Sequence, residues 1–175
     1  IGGGSCNQVS NNYATIGGGY NNTASGCYSS IVGGSKNTSS SDNSFIGGGG
    51  QNIIQNYSDY SSIVGGSNTI NYSCFSFIGG GLNNNTNCNY TVIGGGRQNT
   101  ISCGTHSFIG GGYKNINAGC YSTISGGRCN ISGSFASTVG GGRGNTSSGR
   151  LSLIGGGDTN TSSGYYSTIG GGCKN

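Results

Sequence analysis

An aliphatic residue followed by a run of glycines returns along the whole chain at a nearly constant interval. The anchors are Ile1, Ile16, Ile31, Ile46, Ile63, Ile78, Ile93, Ile109, Ile124, Val139, Ile154 and Ile169. Nine of the eleven steps are 15 residues; the step after Ile46 is 17 and the step after Ile93 is 16. A fixed period of this length marks stacked repeats, in which one unit cannot bury its own apolar side and covers it with the next. Composition agrees. Of 175 residues 41 are Gly, none is Pro, and charged residues are 6%, against about 25% in an ordinary soluble domain. Collagen would need Gly at every third position with abundant Pro. Helix is disfavoured because Gly, Ser, Asn and Thr dominate. Residues 1–175 therefore read as one continuous repeat region, without separate domains. Since both termini fall within the pattern, the region is expected to be a segment of a longer polypeptide.

The repeat reads roughly Tyr-Ser-Thr-Ile-Gly-Gly-Gly-x-x-Asn-Thr-x-Ser-Gly-x. The second and third residues after the anchor are Gly in all twelve copies, and the first is replaced only by Val32, Val64 and Ser125. Two residues before the anchor stands Ser in nine of eleven copies. Three before it lies a ring in most: Tyr13, Tyr28, Tyr60, Phe75, Tyr90, His106, Tyr121 and Tyr166. Residues i and i+2 share one face of a β-strand. The Ser, the anchor and the second Gly are thus expected inside, and the ring and the residue just before the anchor (Phe45, Phe77, Phe108) outside. Asn-Thr-x-Ser supplies a second strand or edge, and the Gly-Gly and Ser-Gly pairs supply corners where positive φ is needed. The two residues between the glycines and Asn vary freely and are read as an exposed turn.

A 15-residue period with two short strands is one coil of a parallel β-solenoid. Eleven to twelve coils, rising about 4.8 Å each, make a rod of roughly 55 Å. The anchors from Ile16 to Ile169 line its interior. An amide ladder is expected from Asn7, Asn22, Asn37, Asn52, Asn84, Asn99, Asn115, Asn130, Asn145, Asn160 and Asn175, with Asn68 taking the place in the copy anchored by Ile63. The two insertions should bulge at corners and leave the stack intact. One buried Ile per coil, at about 1.5–3 kcal/mol, does not offset the ordering of fifteen residues. Backbone ladders and a second interface must contribute, and the ring stripe is the candidate for burial between chains.

The copies at Tyr121-Ser-Thr-Ile-Ser-Gly-Gly and Tyr166-Ser-Thr-Ile-Gly-Gly-Gly resemble the short-period repeats of YadA-like trimeric autotransporter heads. They are also similar to longer repeats of tail-fibre-like surface proteins. The resemblance spans the chain and implies a left-handed parallel β-roll, three chains side by side, serving as a fibre or adhesive stalk. The period is one residue longer than is usual for those heads. Eight cysteines are unusual there and fit a viral or other secreted fibre better.

Cys74, Cys88, Cys103 and Cys120 fall on four consecutive coils near one corner, where neighbouring Cα atoms lie within disulfide range. Cys74–Cys88 with Cys103–Cys120 is one pairing and Cys88–Cys103 its competitor. Cys6, Cys27, Cys129 and Cys173 lack a same-corner neighbour and are expected free or interchain. Disulfides imply an extracellular, cell-surface or virion-surface setting. Nine Asn-x-Ser/Thr sequons occur, a number such a composition produces by chance. Five lie on the ladder, where a buried Asn cannot carry a glycan, so Asn21, Asn56, Asn71 and Asn89 are the glycosylation candidates.

Catalysis needs a constellation of titratable groups, and the chain has only Asp42, Asp59, Asp158 and His106 besides its bases. No enzyme activity, cofactor or metal is expected: there is no CxxC, the lone His lies in the ring stripe, and the glycine runs lack a Gly-Lys-Ser/Thr sequel. The net charge of +4 is spread along the sequence with no basic cluster, which disfavours nucleic acid. No apolar run is long enough to span a membrane. The leading expectation is a structural fibre that associates with itself as a homotrimer or filament. Two alternatives are an ice-binding face built from Thr23/Ser25, Thr38/Ser40, Thr100/Ser102, Thr146/Ser148 and Thr161/Ser163, and binding of a host surface or glycan through turns such as Tyr20, Tyr113, Arg97, Arg128 and Arg143. The Thr-x-Ser series is already broken at Ile53/Gln55 and Ile131/Gly133.

Overall fold

The computed structural model describes residues 1–67 and 69–175. Those residues form an all-β parallel solenoid without helix. Each coil contributes two strands of two residues, and like strands of successive coils pair in parallel to build two eleven-stranded sheets. The first sheet runs from Gln8–Val9 to Thr161–Ser162 and the second from Thr15–Ile16 to Thr168–Ile169. Registers are the sequence period: Ile16 lies over Ile31 and Thr23 over Thr38. A third parallel ladder joins the residue four after each anchor, from Ser5 through Tyr20 and Ser35 to Cys173. Half of the expected free turn is therefore ladder backbone, its side chains variable because they point outward.

Both insertions fall at the corner between the two sheets. Ile53 pairs with Ile70 at the 17-residue step and Thr100 with Ile116 at the 16-residue step. Residues after Ile54 and after Ile101 absorb the extra length, and both sheets continue without a break.

The anchors from Ile16 to Ile154 are buried, and Ile169 is half-buried. A second inward row, eight residues after each anchor, was hidden in the variable position of Asn-Thr-x-Ser. It holds Ala24, Ile54 and Ile101 alongside polar Ser39, Asn71, Thr86, Asn117, Ser132 and Ser147, all buried. Most of the polar members are satisfied within their own coil by the Ser two before the next anchor. Ser39 Oγ lies 2.5 Å from Ser44 Oγ, and Ser132–Ser137 and Ser147–Ser152 repeat the pair at 2.6 Å. A buried hydroxyl without such a partner would lose its hydration for nothing.

Asparagine forms the inner polar spine. Asn22 through Asn160 are fully buried at every ladder position that holds Asn. The backbone N–H of Asn37 donates to Asn22 Oδ1 at 3.0 Å, while Asn37 Nδ2 donates to Gly33 O at 3.0 Å and Gly49 O at 3.2 Å. In the copy anchored by Ile63, Thr69 holds this register. Asn68, expected there, lies outside the described residues.

The three glycines differ. At the third, φ is positive (Gly34 +92°, Gly112 +94°), and a Cβ would strike the next coil's carbonyl and crowd the ladder Asn. The second Gly was expected inside with Ser and Ile. Instead, a Cβ at Gly33, Gly65, Gly95, Gly141 or Gly156 meets nothing within 4 Å, so this row faces outward. Positive φ is also not confined to glycine. The ring row (Tyr28 φ +57°, Tyr121 +57°) and the residue before the ladder Asn (Lys36 φ +57°, Gln98 +57°) are left-handed with full side chains. That conformation costs about 1–2 kcal/mol per residue. It is held because each such N–H donates to the preceding coil, as Tyr28 to Asn12 O at 3.1 Å and Lys36 to Tyr20 O at 2.9 Å.

Candidate functional site

Stacking at one register converts sequence periodicity into side-chain rows, and three rows carry chemistry. The first is basic. Arg97, Tyr113, Arg128, Arg143 and Asp158 succeed one another on the third ladder, with Lys114 beside Tyr113. The guanidinium carbons of Arg97 and Arg128 lie 5.6 Å and 5.8 Å from the centroid of the Tyr113 ring, and Lys114 Nζ lies 5.3 Å from it. The even spread of charge read along the sequence is thus corrected in space: separations of 14 to 17 residues become one-coil steps. Arg143 clasps Asp158 through two bonds, Nε to Oδ1 at 3.0 Å and Nη2 to Oδ2 at 2.5 Å. The bonds from Arg143 and Thr159 lower the Asp158 pKa to about 2. The same contact raises that of Arg143.

The second row is aromatic. Tyr60, Phe75, Tyr90, His106 and Tyr121 stack face to face with centroids 4.8–5.1 Å apart and planes within 10°. Tyr13 and Tyr28 form a separate stack at 4.8 Å. The rings are exposed, and they spend their faces on one another and show solvent their edges.

The third row lies at the neighbouring corner position. Asp42 Oδ1 accepts the Cys27 N–H at 2.7 Å, Asp59 Oδ1 that of Asp42 at 3.1 Å, and Asn89 Oδ1 that of Cys74 at 2.9 Å. These side chains satisfy corner amides of the preceding coil. Asp42 and Asp59 line a groove of about 390 Å³ with Ser40, Ser41, Asn56 and Tyr57. Among the described residues no three His, Cys, Asp or Glu side chains gather into a metal-binding group.

All eight cysteines are free thiols, so neither expected pairing is formed in this structure. Cys74 Sγ donates to Tyr57 O at 3.0 Å, toward the coil before it and away from Cys88. Burial first, then the nearby Cys103 and Cys120 thiols, push the Cys88 thiol up. Cys6, Cys129 and Cys173 are exposed, and Cys27 is half-buried. Of the glycosylation candidates, Asn21, Asn56 and Asn89 are exposed. Asn71 is a correction: it is fully buried on the second inward row, and its Oδ1 accepts the Ser73 N–H at 3.0 Å. The ladder sequons Asn37, Asn84, Asn130, Asn145 and Asn160 are buried too.

The Thr-x-Ser pairs lie on the outer face of the first sheet, interrupted by Ile53, Asn85, Ile116 and Ile131 in the Thr register. Among the described residues, complete Thr-x-Ser pairs never occupy more than two adjacent coils. Among the described residues no helix is long and apolar enough to cross a membrane.

The fold and its rows define a β-solenoid tandem-repeat protein. No protein-family model and no curated protein matches the chain.

Proposed function

We propose that this chain is a structural fibre or stalk segment, extracellular or on a virion surface, that associates laterally with copies of itself. The second-glycine row carries the reading. It is Gly in all twelve copies. At ten of them φ is not in the left-handed range, and a Cβ meets no atom closer than 3.9 Å; only Gly48 (φ +155°) and Gly80 (φ +148°) have conformations that favour Gly. The coil's own packing therefore leaves the missing side chain unexplained, and close approach of another backbone explains it. Apolar side chains flank the row on the outer face of the second sheet: Val32, Phe45, Val64, Phe77 and Phe108 are 38–58% exposed. Exposed apolar side chains grouped on neighbouring coils mark an interaction surface. The resemblance to trimeric autotransporter heads and tail-fibre-like repeats supports three chains as the assembly.

Sedimentation and electron microscopy of the chain test this. Assemblies of uniform cross-section wider than one coil are expected. Gly95→Leu with Gly141→Leu should keep the circular dichroism spectrum and lose the assembly. A wild-type chain that stays a single-width rod at high concentration overturns the proposal.

A further inference from the structure

We infer that the corner bearing Arg97, Lys114 and Arg128 binds a linear acidic polysaccharide, its sulfate or carboxylate groups lying along the stack axis. This inference is independent of lateral assembly. Four of the chain's seven cationic side chains, counting Arg143, stand on four consecutive coils at this corner. The one carboxylate on the row, Asp158, is taken by Arg143. The other two, Asp42 and Asp59, belong to a different corner, on coils before the basic ones. Arg97, Lys114 and Arg128 thus converge on the Tyr113 ring without a counter-charge. Like charges held this close repel, and an anion bridging them relieves the repulsion. The fold does not ask for the arginines: the register of Arg97 and Arg128 also holds Ser5, Tyr20, Ser35, Gly50, Ser67 and Leu82.

A coil rise of about 4.8 Å presents the cations as an evenly spaced row. Arg adds planar donors suited to sulfate or carboxylate. Beside the row runs a groove of about 420 Å³ lined by Gln98, Thr100, Lys114, Ile116, Cys129 and Ile131. Ile116 and Ile131 are 42% and 38% exposed and give it an apolar floor, against which the C–H face of a sugar ring can rest while Lys114 and Gln98 hold polar groups at the rim. Nucleic acid fits less well. Its single strands are held by stacking bases on aromatic faces, but Tyr113 is already approached by three cations and the rings of the aromatic ladder cover one another.

The test is binding of heparin to the intact chain, by calorimetry at low and physiological salt. Saturable binding that weakens with salt is expected. Arg97→Ser with Arg128→Ser, residues this register already accepts, should weaken it by about tenfold or more. Arg150→Ser removes the same kind of charge at the ring-side corner, where Arg150 lies 4.8 Å from the Phe135 centroid, and should leave binding unchanged. Independently of any variant, heparin should protect Lys114 but not Lys36 from amine acylation. Absence of heparin binding, equal loss with Arg150→Ser, equal protection of both lysines, or tighter binding of an oligothymidylate of matched charge would each overturn the inference.

Discussion

The backbone N–H of Thr69 reaches the side-chain oxygen of Asn52 over 3.3 Å, where coils with asparagine on both sides close the same bond at 2.9–3.0 Å. Thr69 is fully buried, and its Oγ1 has no partner among the described residues. Among the described residues, Thr69 stands in the register that Asn holds in the other coils. Thr69→Asn places a carboxamide in this register, with donors for the flanking glycine carbonyls. It should stabilise the chain by about 1 kcal/mol, read as a rise in the urea midpoint. An unchanged or lower midpoint would show that the spine is not limiting there.

The converse change should be severe. Asn115 Nδ2 bonds Gly111 O at 2.9 Å and Gly127 O at 3.0 Å, and Asn115 Oδ1 receives the Asn130 N–H at 3.0 Å. Asn115→Leu keeps the branched shape and strands three buried partners, so a loss of about 3 kcal/mol or more is expected. Denaturant unfolding measures it, and a loss under about 1 kcal/mol would contradict the ladder's role.

Adjacent glycines should respond in opposite ways. Gly112 has φ +94°, and a Cβ there collides with Gly127 O and sits 2.8 Å from Asn115 Nδ2. Gly112→Ala should destabilise by about 3 kcal/mol or more. Gly111, whose Cβ meets nothing nearer than 3.9 Å within the chain, should accept Ala within about 0.5 kcal/mol in the unassembled chain at low concentration. Similar melting temperatures for the two variants would be the failing result.

Phe75 is stacked between Tyr60 at 5.0 Å and Tyr90 at 5.1 Å. Phe75→Ala should cost about 1–2 kcal/mol, since each aromatic pair contributes about 0.5–1.5 kcal/mol beyond burial. Phe75→Tyr should restore it. Thermal melts of the two variants decide this, and equal melting points for Ala and Tyr would count against the stack.

Asp158 links stability to pH. Its pKa is about 2 in the fold, below the ordinary carboxylate value, so the Arg143 clasp contributes in full above the unfolded value. It fades as pH falls through the folded one. Melting temperature should therefore drop more between pH 4 and pH 2 in the native chain than in Asp158→Asn, which has nothing to titrate there. Parallel curves for the two proteins would refute this. The pair is exposed, and added salt should shrink the difference.

Much of this molecule was legible because it is nearly one-dimensional: a contact one coil away is a fixed step along the sequence. The repeat alone determined the parallel solenoid, the anchor row, the asparagine register outside the copy anchored by Ile63 and the corner placement of both insertions, since period and strand alternation leave few other stackings. Tertiary structure decided what identical spacing cannot distinguish. Which glycine faces in depends on corner angles, so the outward turn of Gly95 and the closed pocket at Gly112 were not readable. The second inward row was masked because Ile54, Asn71 and Ser132 differ in polarity and are equalised only by partners such as Ser137. Asn71 resembled a surface sequon until its side chain was found inside. Arg97, Lys114 and Arg128 looked scattered until the coil rise brought them together over Tyr113. Sequence counts residues along the chain, whereas charge and packing act through space, and the fold sets the distance between the two measures.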